Sequence, residues 1–324
     1  MRYCFEQEKW RDVMERKYKR LEELELWDDF MFGAVMSNKE LCKTLLELIL
    51  HKKIKDIRYP ELQKVMDWKY EAKSIRLDVY IEDITDTVYN IEIQATDQKN
   101  LPKRSRYYQD MIDLNILDKG EDFNQLKNSY VIFICKYDPF EKRKCMYWFE
   151  NICVDDLSLK LGDDSAKIII NPYGDDAEKY GKAFKALMGF LKSGRPTDDY
   201  TESLEKEVGV VKASEEWRRE YMTLLMRDKE NIRFGDLARG VCQVKKNKTR
   251  FTAEELSSIL DYDTATIEKM IESINAHPDW SEEDIAEELL YKVDLEYGYI
   301  CIKMGRTPFC SDKTSKKVRG MQNT

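Results

Sequence analysis

The chain has 324 residues, of which 42% are hydrophobic and 36% charged, with only 13 Gly and 7 Pro; it is too aromatic for a disordered tail and too poor in Gly and Pro for a collagenous one. That length accommodates one large core or two modest ones. The formal charge of −8 is uneven: residues 252–296 hold 14 acids and 2 bases and residues 297–324 hold 1 acid and 6 bases, which leaves residues 1–251 near neutral.

Apolar runs are short, such as Val131-Ile132-Phe133-Ile134-Cys135, far from the roughly 18 residues a membrane span needs. Residues 1–20 alternate acids and bases without an apolar signal core, so the expectation is a soluble cytoplasmic protein with no membrane contact. Eight Cys without a C-x-x-C pair indicate reduced thiols rather than a zinc ribbon or a disulfide framework. With only His51 and His277 available, chemistry has to use carboxylates, amides, Lys or Arg.

In chain order, residues 8–26 read as a charged helix, and Asp28-Asp29-Phe30 as a helix start in which an Asp accepts the first free N–H groups. Ser37-Asn38-Lys39-Glu40 opens a second helix running to Leu50, with Leu41, Leu45, Leu48 and Ile49 on its core face. From 62 to 94 the apolar period drops to 2. Ile75, Leu77, Val79 and Ile81 alternate with polar residues, a turn at 83–87 follows, and residues 88–94 form the return strand.

Pro102 to Gly120 reads as a helix. Strands are predicted at 129–136, 145–152 and 167–171, and a helix at about 175–192. Ser193-Gly194-Arg195-Pro196-Thr197 marks a boundary, so a first domain covers 1–195, a connecting helix 196–230 and an acidic helical module with a basic tail 231–324. In that module Thr252-Ala253-Glu254-Glu255 and Ser281-Glu282-Glu283-Asp284 are helix starts. Gly235 and Gly240 have phosphate-loop spacing, but Val241 stands where that loop needs Lys, and the match is an accident of spacing.

If the hairpin turns around Thr85, pairing partners sum to 170, which sets Asp78 opposite Glu92 and Arg76 opposite Gln94. Facing carboxylates repel, and a divalent ion resolves the conflict. Hard oxygen ligands suit Mg²⁺ or Mn²⁺, which bind through one or two carboxylates and complete their shell with water and phosphate oxygens. A phosphodiester substrate is implied, with Gln94 placed to orient an attacking water. The plainer reading is that Asp78, Glu92 and Gln94 line the wet face of an amphipathic hairpin.

These residues resemble a known group. Asp78 followed by Glu92-x-Gln94, each on a strand and followed by a basic helix, is similar to the D…(D/E)-x-K core of the PD-(D/E)XK nuclease superfamily. More narrowly it resembles the Rpn-like branch of recombination-promoting nucleases and transposases. Asp29-Phe30-Met31-Phe32, Leu77-Asp78-Val79, Asn90-Ile91-Glu92-Ile93-Gln94 and Pro102-Lys103-Arg104-Ser105-Arg106-Tyr107-Tyr108 carry the resemblance, across roughly 27–110.

It implies an α/β, restriction-endonuclease-like mixed sheet flanked by helices, followed by a mainly helical C-terminal region. It also implies Mg²⁺-dependent (or Mn²⁺-dependent) DNA cleavage in recombination or mobile-element processing, with Asp78 and Glu92 as metal ligands and the Ile93 carbonyl as a third. Gln94 replaces the superfamily's Lys, which raises the alternative of a weak or inactive nuclease fold that binds DNA or protein. Asp29 is either a helix cap or a supplementary ligand. Lys103, Arg104 and Arg106, with Tyr107 and Tyr108, either contact DNA or form an ordinary amphipathic helix with Arg106 paired to Asp110. Double-strand cutting would call for a homodimer. The helix-turn-helix candidate at 253–275 lies in the acidic segment, which favours a protein partner over DNA, whereas Lys313, Lys316, Lys317 and Arg319 of the tail could attract DNA non-specifically or belong to a disordered end.

Overall fold

The structure is a computed structural model that describes residues 19–58, 61–66 and 75–296. The chain divides into two compact units, Met1–Thr223 and Leu224–Thr324.

The first unit is built on a six-stranded mixed sheet with strand order β1-β2-β3-β4-β6-β5. Its strands are β1 (Glu61–Met66), β2 (Ile75–Glu82), β3 (Val88–Gln94), β4 (Ser129–Cys135), β5 (Met146–Phe149) and β6 (Ser165–Ile170). The pairs β1–β2, β2–β3 and β5–β6 are antiparallel, and β3–β4 and β4–β6 are parallel. Helices α1 (Asp29–Met36), α2 (Lys39–Leu50), α3 (Leu101–Ile116), α4 (Lys182–Ser193) and α5 (Asp199–Ala213) flank it. This is the restriction-endonuclease-like α/β arrangement expected, followed by a helical C-terminal region.

The β2–β3 hairpin has the predicted register: Val79 pairs with Ile91, Tyr80 with Asn90, Ile81 with Tyr89 and Glu82 with Val88. Its turn is organised by Asp83, whose carboxylate accepts the N–H groups of Thr85 (2.7 Å) and Thr87 (3.0 Å) and the hydroxyl of Tyr89 (2.7 Å). Such side-chain-to-backbone bonds are how Asp makes a tight turn without glycine.

On one face of the sheet Tyr80, Val88, Val131 and Phe133 pack against Leu101, Tyr108, Met111 and Ile112 of α3. The face of α3 turned to the sheet therefore repeats at 101, 105, 108 and 112, all buried, which is the helical period.

Several elements differ from the sequence reading. Within residues 19–26 of the expected first helix there is only a 3-10 turn, Leu21–Glu23; the rest of that expectation lies outside the described residues. Side chains take the helix's place: Glu23 accepts from the Arg20 N–H at 3.0 Å, and Asp28 accepts from the Glu25 N–H at 2.7 Å. The second helix is capped by Asn38, not Ser37: its side chain accepts from the Leu41 N–H.

Helix α3 stops at Ile116, short of Gly120. Strand β5 ends at Phe149, and beyond it a single Ile152–Lys160 bridge closes a short arm. The expected 175–192 helix is divided at Gly181, whose φ of 90° lies outside the helical region, into a 3-10 turn Ala177–Tyr180 and α4.

The turn after Ser193 is present, with Gly194 left-handed at φ 69°. It is not the edge of the unit, however. Helix α5 packs back with Thr201, Leu204 and Val211 buried, and the Tyr200 hydroxyl donates to the Leu41 carbonyl at 3.0 Å. The single helix expected over 200–230 is broken at Ser214, which is extended (φ −82°, ψ 126°) and accepts from the Trp217 N–H at 3.3 Å to start α6 (Glu215–Asn247).

The second unit continues along α6 and adds α7 (Ala253–Leu260), α8 (Thr264–Ala276) and α9 (Glu282–Glu296). Val241, Val244, Leu256, Ile267, Met270, Ile274, Ile285 and Leu289 form its core. Thr252 and Glu255 make the predicted reciprocal cap, and Asp261 turns left-handed between α7 and α8. Gly235 and Gly240 lie inside α6, so neither belongs to a phosphate loop. The basic tail residues Lys313, Lys316, Lys317 and Arg319 lie outside the described residues. Among the described residues no helix is long and apolar enough to cross a membrane.

Candidate metal and nucleic-acid site

Continuing the hairpin register by one residue sets Asp78 opposite Glu92, and there side chains take over from the ladder. The Asp78 N–H donates to Glu92 Oε1 at 3.1 Å, and the Ile93 N–H donates to Asp78 Oδ2 at 3.1 Å. Each carboxylate thus binds the other's strand. Both are buried: Asp78 is 6% exposed and Glu92 is 0% exposed.

Three groups converge on Glu92. Oε1 also accepts from Asn90 Nδ2 at 3.2 Å, and Oε2 accepts from an Arg104 terminal nitrogen at 3.2 Å. Burial above all, and then the charge of Asp78, push the Glu92 carboxyl well above the usual carboxylate range; the Asp78 N–H, Arg104 and Asn90 work in the opposite direction.

Gln94 follows two residues on, pointing to the same side as Glu92 by strand alternation. Its Nε2 donates to the Ile93 carbonyl at 2.6 Å, and its Oε1 accepts from Arg104 at 2.6 Å. Arg104 Nε donates to the Tyr108 hydroxyl at 3.0 Å, and the guanidinium lies 5.1 Å from the Tyr108 ring centroid and 5.6 Å from that of Phe133. Burial pulls the Arg104 pKa down, but Tyr108, Glu92 and Asp78 raise it on balance; Tyr108 itself is pushed up to about 12 by burial and by Glu92.

The expected DNA-facing helix therefore divides. Lys103 and Arg106 are exposed, Tyr107 is half-buried against the α3 core cluster, and Tyr108 is buried. Arg104, with its side chain 24% exposed, is turned into the carboxylate site, not toward solvent. The reason is the helical period: with 101, 105, 108 and 112 on the sheet, 103 and 106 fall outside and 104 at the rim. A DNA-stacking role for Tyr108 is excluded by its burial.

Asp29 is the first residue of α1 and is exposed, whereas the cap position belongs to Asp28. Asp28 makes no side-chain cap bond. Its carboxylate is taken by Lys19, at 2.9 Å, and by the Glu25 N–H. The side chain of Arg76 lies outside those described.

The residues present fit a hard divalent cation. Two carboxylates brought together out of water repel, and a cation removes that conflict. In addition, Asn90 Oδ1, beside Glu92, is buried with no hydrogen-bond partner among the described residues. No cluster of three or more His, Cys, Asp or Glu occurs among the described residues. The oxygens that would hold such a cation are those of Asp78 and Glu92 with the neighbouring Ile93 carbonyl, water and substrate oxygens completing the shell as hard divalent ions allow.

Sequence reasoning missed Asn90 and the inward role of Arg104. The signals were present: Asn90 stands two residues before Glu92 on the same strand face, and Arg104 stands four residues before Tyr108 on a helix.

Residues 28–161 match the family model of the PD-(D/E)XK nuclease family transposase. Neither the curated proteins nor the solved structures compared include a match to the chain. The match takes in Asp29, both carboxylate strands and all of α3, and ends before β6. Over residues 28–161 this chain is similar to the PD-(D/E)XK nuclease family transposase.

Proposed function

We propose that the protein is a metal-dependent DNA endonuclease that hydrolyses phosphodiester bonds in recombination or mobile-element DNA processing. The observation that carries this reading is the mutual bonding of Asp78 and Glu92 across β2 and β3, which holds two buried carboxylates together beside an amide and a guanidinium.

In this reading Asp78, Glu92 and the Ile93 carbonyl hold Mg²⁺ or Mn²⁺, which when bound polarises the phosphoryl oxygen and lowers the pKa of a water. Gln94 orients that water by hydrogen bonding. Lys103 and Arg106, on the exposed side of α3, neutralise backbone phosphates, the main source of affinity for DNA. Cutting both strands would require two copies of the site.

A second reading, a nuclease fold retained for binding without turnover, draws on a specific observation: Glu92, Gln94 and the Ile93 carbonyl each already have a protein partner. Plasmid cleavage separates the two. The nuclease reading expects nicking or linearisation in Mg²⁺ or Mn²⁺, none in EDTA, and none by Asp78→Ala. Cutting by Asp78→Ala at the wild-type rate rejects the site. Salt-sensitive DNA retention without cleavage in any metal establishes the binding module.

A further inference from the structure

We propose that Arg104 is the positioning residue of the carboxylate site: a helix-borne cation that orients Gln94 and brings to it the positive charge that an amide at position 94 lacks. The inference rests on the nuclease reading above.

An amide side chain is symmetric in shape, and only its partners decide which end is oxygen. At Gln94 the decision falls to Arg104 and the Ile93 carbonyl together. A guanidinium has donors and no acceptor, so the group it touches at 2.6 Å is Oε1, and Nε2 is left to donate to the Ile93 carbonyl. Without Arg104, Oε1 loses its donor and the Ile93 carbonyl alone holds the amide, so the water-orienting group is held at one end instead of two.

The guanidinium is itself anchored from behind. Tyr108 accepts from Nε, and the rings of Tyr108 and Phe133 lie beside its plane. The remaining nitrogens face Gln94 and Glu92. An exposed ion pair contributes little, but here the carboxylate side chain is only 1% exposed and the guanidinium is held at three points. Arg stays charged at all working pH values, so this cation is permanent.

The arrangement predicts opposite effects on metal and on turnover. Removing Arg104 takes a positive charge from beside two carboxylates, which strengthens their attraction for a divalent ion. It also frees Gln94, which slows the chemistry.

The test compares wild type with Arg104→Gln, Arg104→Lys, Gln94→Lys and the charge swap Gln94→Lys/Arg104→Gln, by Mn²⁺ calorimetry, plasmid nicking and thermal melting. Arg104→Gln is expected to bind Mn²⁺ several-fold more tightly while nicking falls about 10- to 100-fold, the usual range for a residue that orients a metal-site group. Arg104→Lys should keep part of the rate. The charge swap should recover most of it, whereas Gln94→Lys alone, which sets two cations together, should not.

Wild-type nicking by Arg104→Gln overturns the proposal, as does a charge-swap protein that melts cooperatively and binds Mn²⁺ yet remains as slow as Arg104→Gln. If wild type neither binds Mn²⁺ nor nicks, the nuclease reading itself fails, and this inference falls with it.

Discussion

Asp78 and Glu92 are joined through each other's strands: the Asp78 N–H donates to Glu92 Oε1, and the N–H that follows Glu92, on Ile93, donates to Asp78 Oδ2, both at 3.1 Å. The two side chains thereby do the work of ladder hydrogen bonds where β2 and β3 leave their regular pairing. In the proposed nuclease reading, function and hairpin stability are consequently linked at these two positions.

That link has a pH signature. Burial and the charge of Asp78 raise the Glu92 pKa in the folded protein, so the native state keeps a proton that the unfolded chain has released above about pH 4.3. Stability from this group is complete below that unfolded value and is lost as pH rises through the folded one. Melting temperatures measured in EDTA should fall as pH rises above the ordinary carboxylate range, and Glu92→Gln should flatten the curve. Parallel curves for the two proteins would show that Glu92 does not titrate this way.

Asp83 should behave with the opposite sign. Although burial works against its charged form, bonds from Thr85, Thr87 and Tyr89 hold its pKa below the usual range. Its stabilisation is present above the unfolded value and disappears as pH drops through the folded one. Asp83→Asn should cost about 1–3 kcal/mol at neutral pH, as loss of a charged acceptor does, and much less in acid. Denaturant melts at two pH values measure the difference, and a cost unchanged by acid would count against the charge.

Tyr108→Phe keeps the ring beside Arg104 and removes the hydroxyl that accepts from Nε. A loss of about 1 kcal/mol in stability is expected. A several-fold drop in nicking should accompany it, because the anchor behind Arg104 is weakened. Full activity in this variant would mean that the aromatic contacts alone hold the guanidinium.

Lys103 and Arg106 are exposed on α3. Replacing each by Ala should lower the slope of log affinity against log salt by about 1, the mark of one lost phosphate contact, with little change in melting temperature. DNA retention measured over a salt series reads this directly; an unchanged slope places the DNA elsewhere.

Two glycines of α6 should respond differently to the same change. A Cβ at Gly235 meets nothing within 4 Å, so Gly235→Ala should stabilise the second unit by about 0.5–1 kcal/mol through helix propensity. A Cβ at Gly240 would lie 2.7 Å from the Tyr262 ring and hydroxyl, and that hydroxyl donates to the Asp236 carbonyl at 2.7 Å. Gly240→Ala should therefore lose more than it gains, by about 1 kcal/mol or more. Equal melting shifts for the two variants would remove Tyr262 as the cause.

The amino-acid sequence by itself determined the local geometry of this protein: the period-2 run and the 83–87 turn specify the hairpin register, and that register alone pairs Asp78 with Glu92. It also specified the caps at Thr252 and Ser281, because capping is a matter of residues a few positions apart. Only the tertiary structure decided how deeply Glu92 is buried, that Arg104 belongs to the carboxylate site while Lys103 and Arg106 remain outside, and that α5 closes onto the first unit through Tyr200. Strand alternation and helix period say which side chains share a face. The distance and angle at which α3 and α5 meet their neighbours depend on packing between residues far apart in the chain, and that packing sets the environment of each charge.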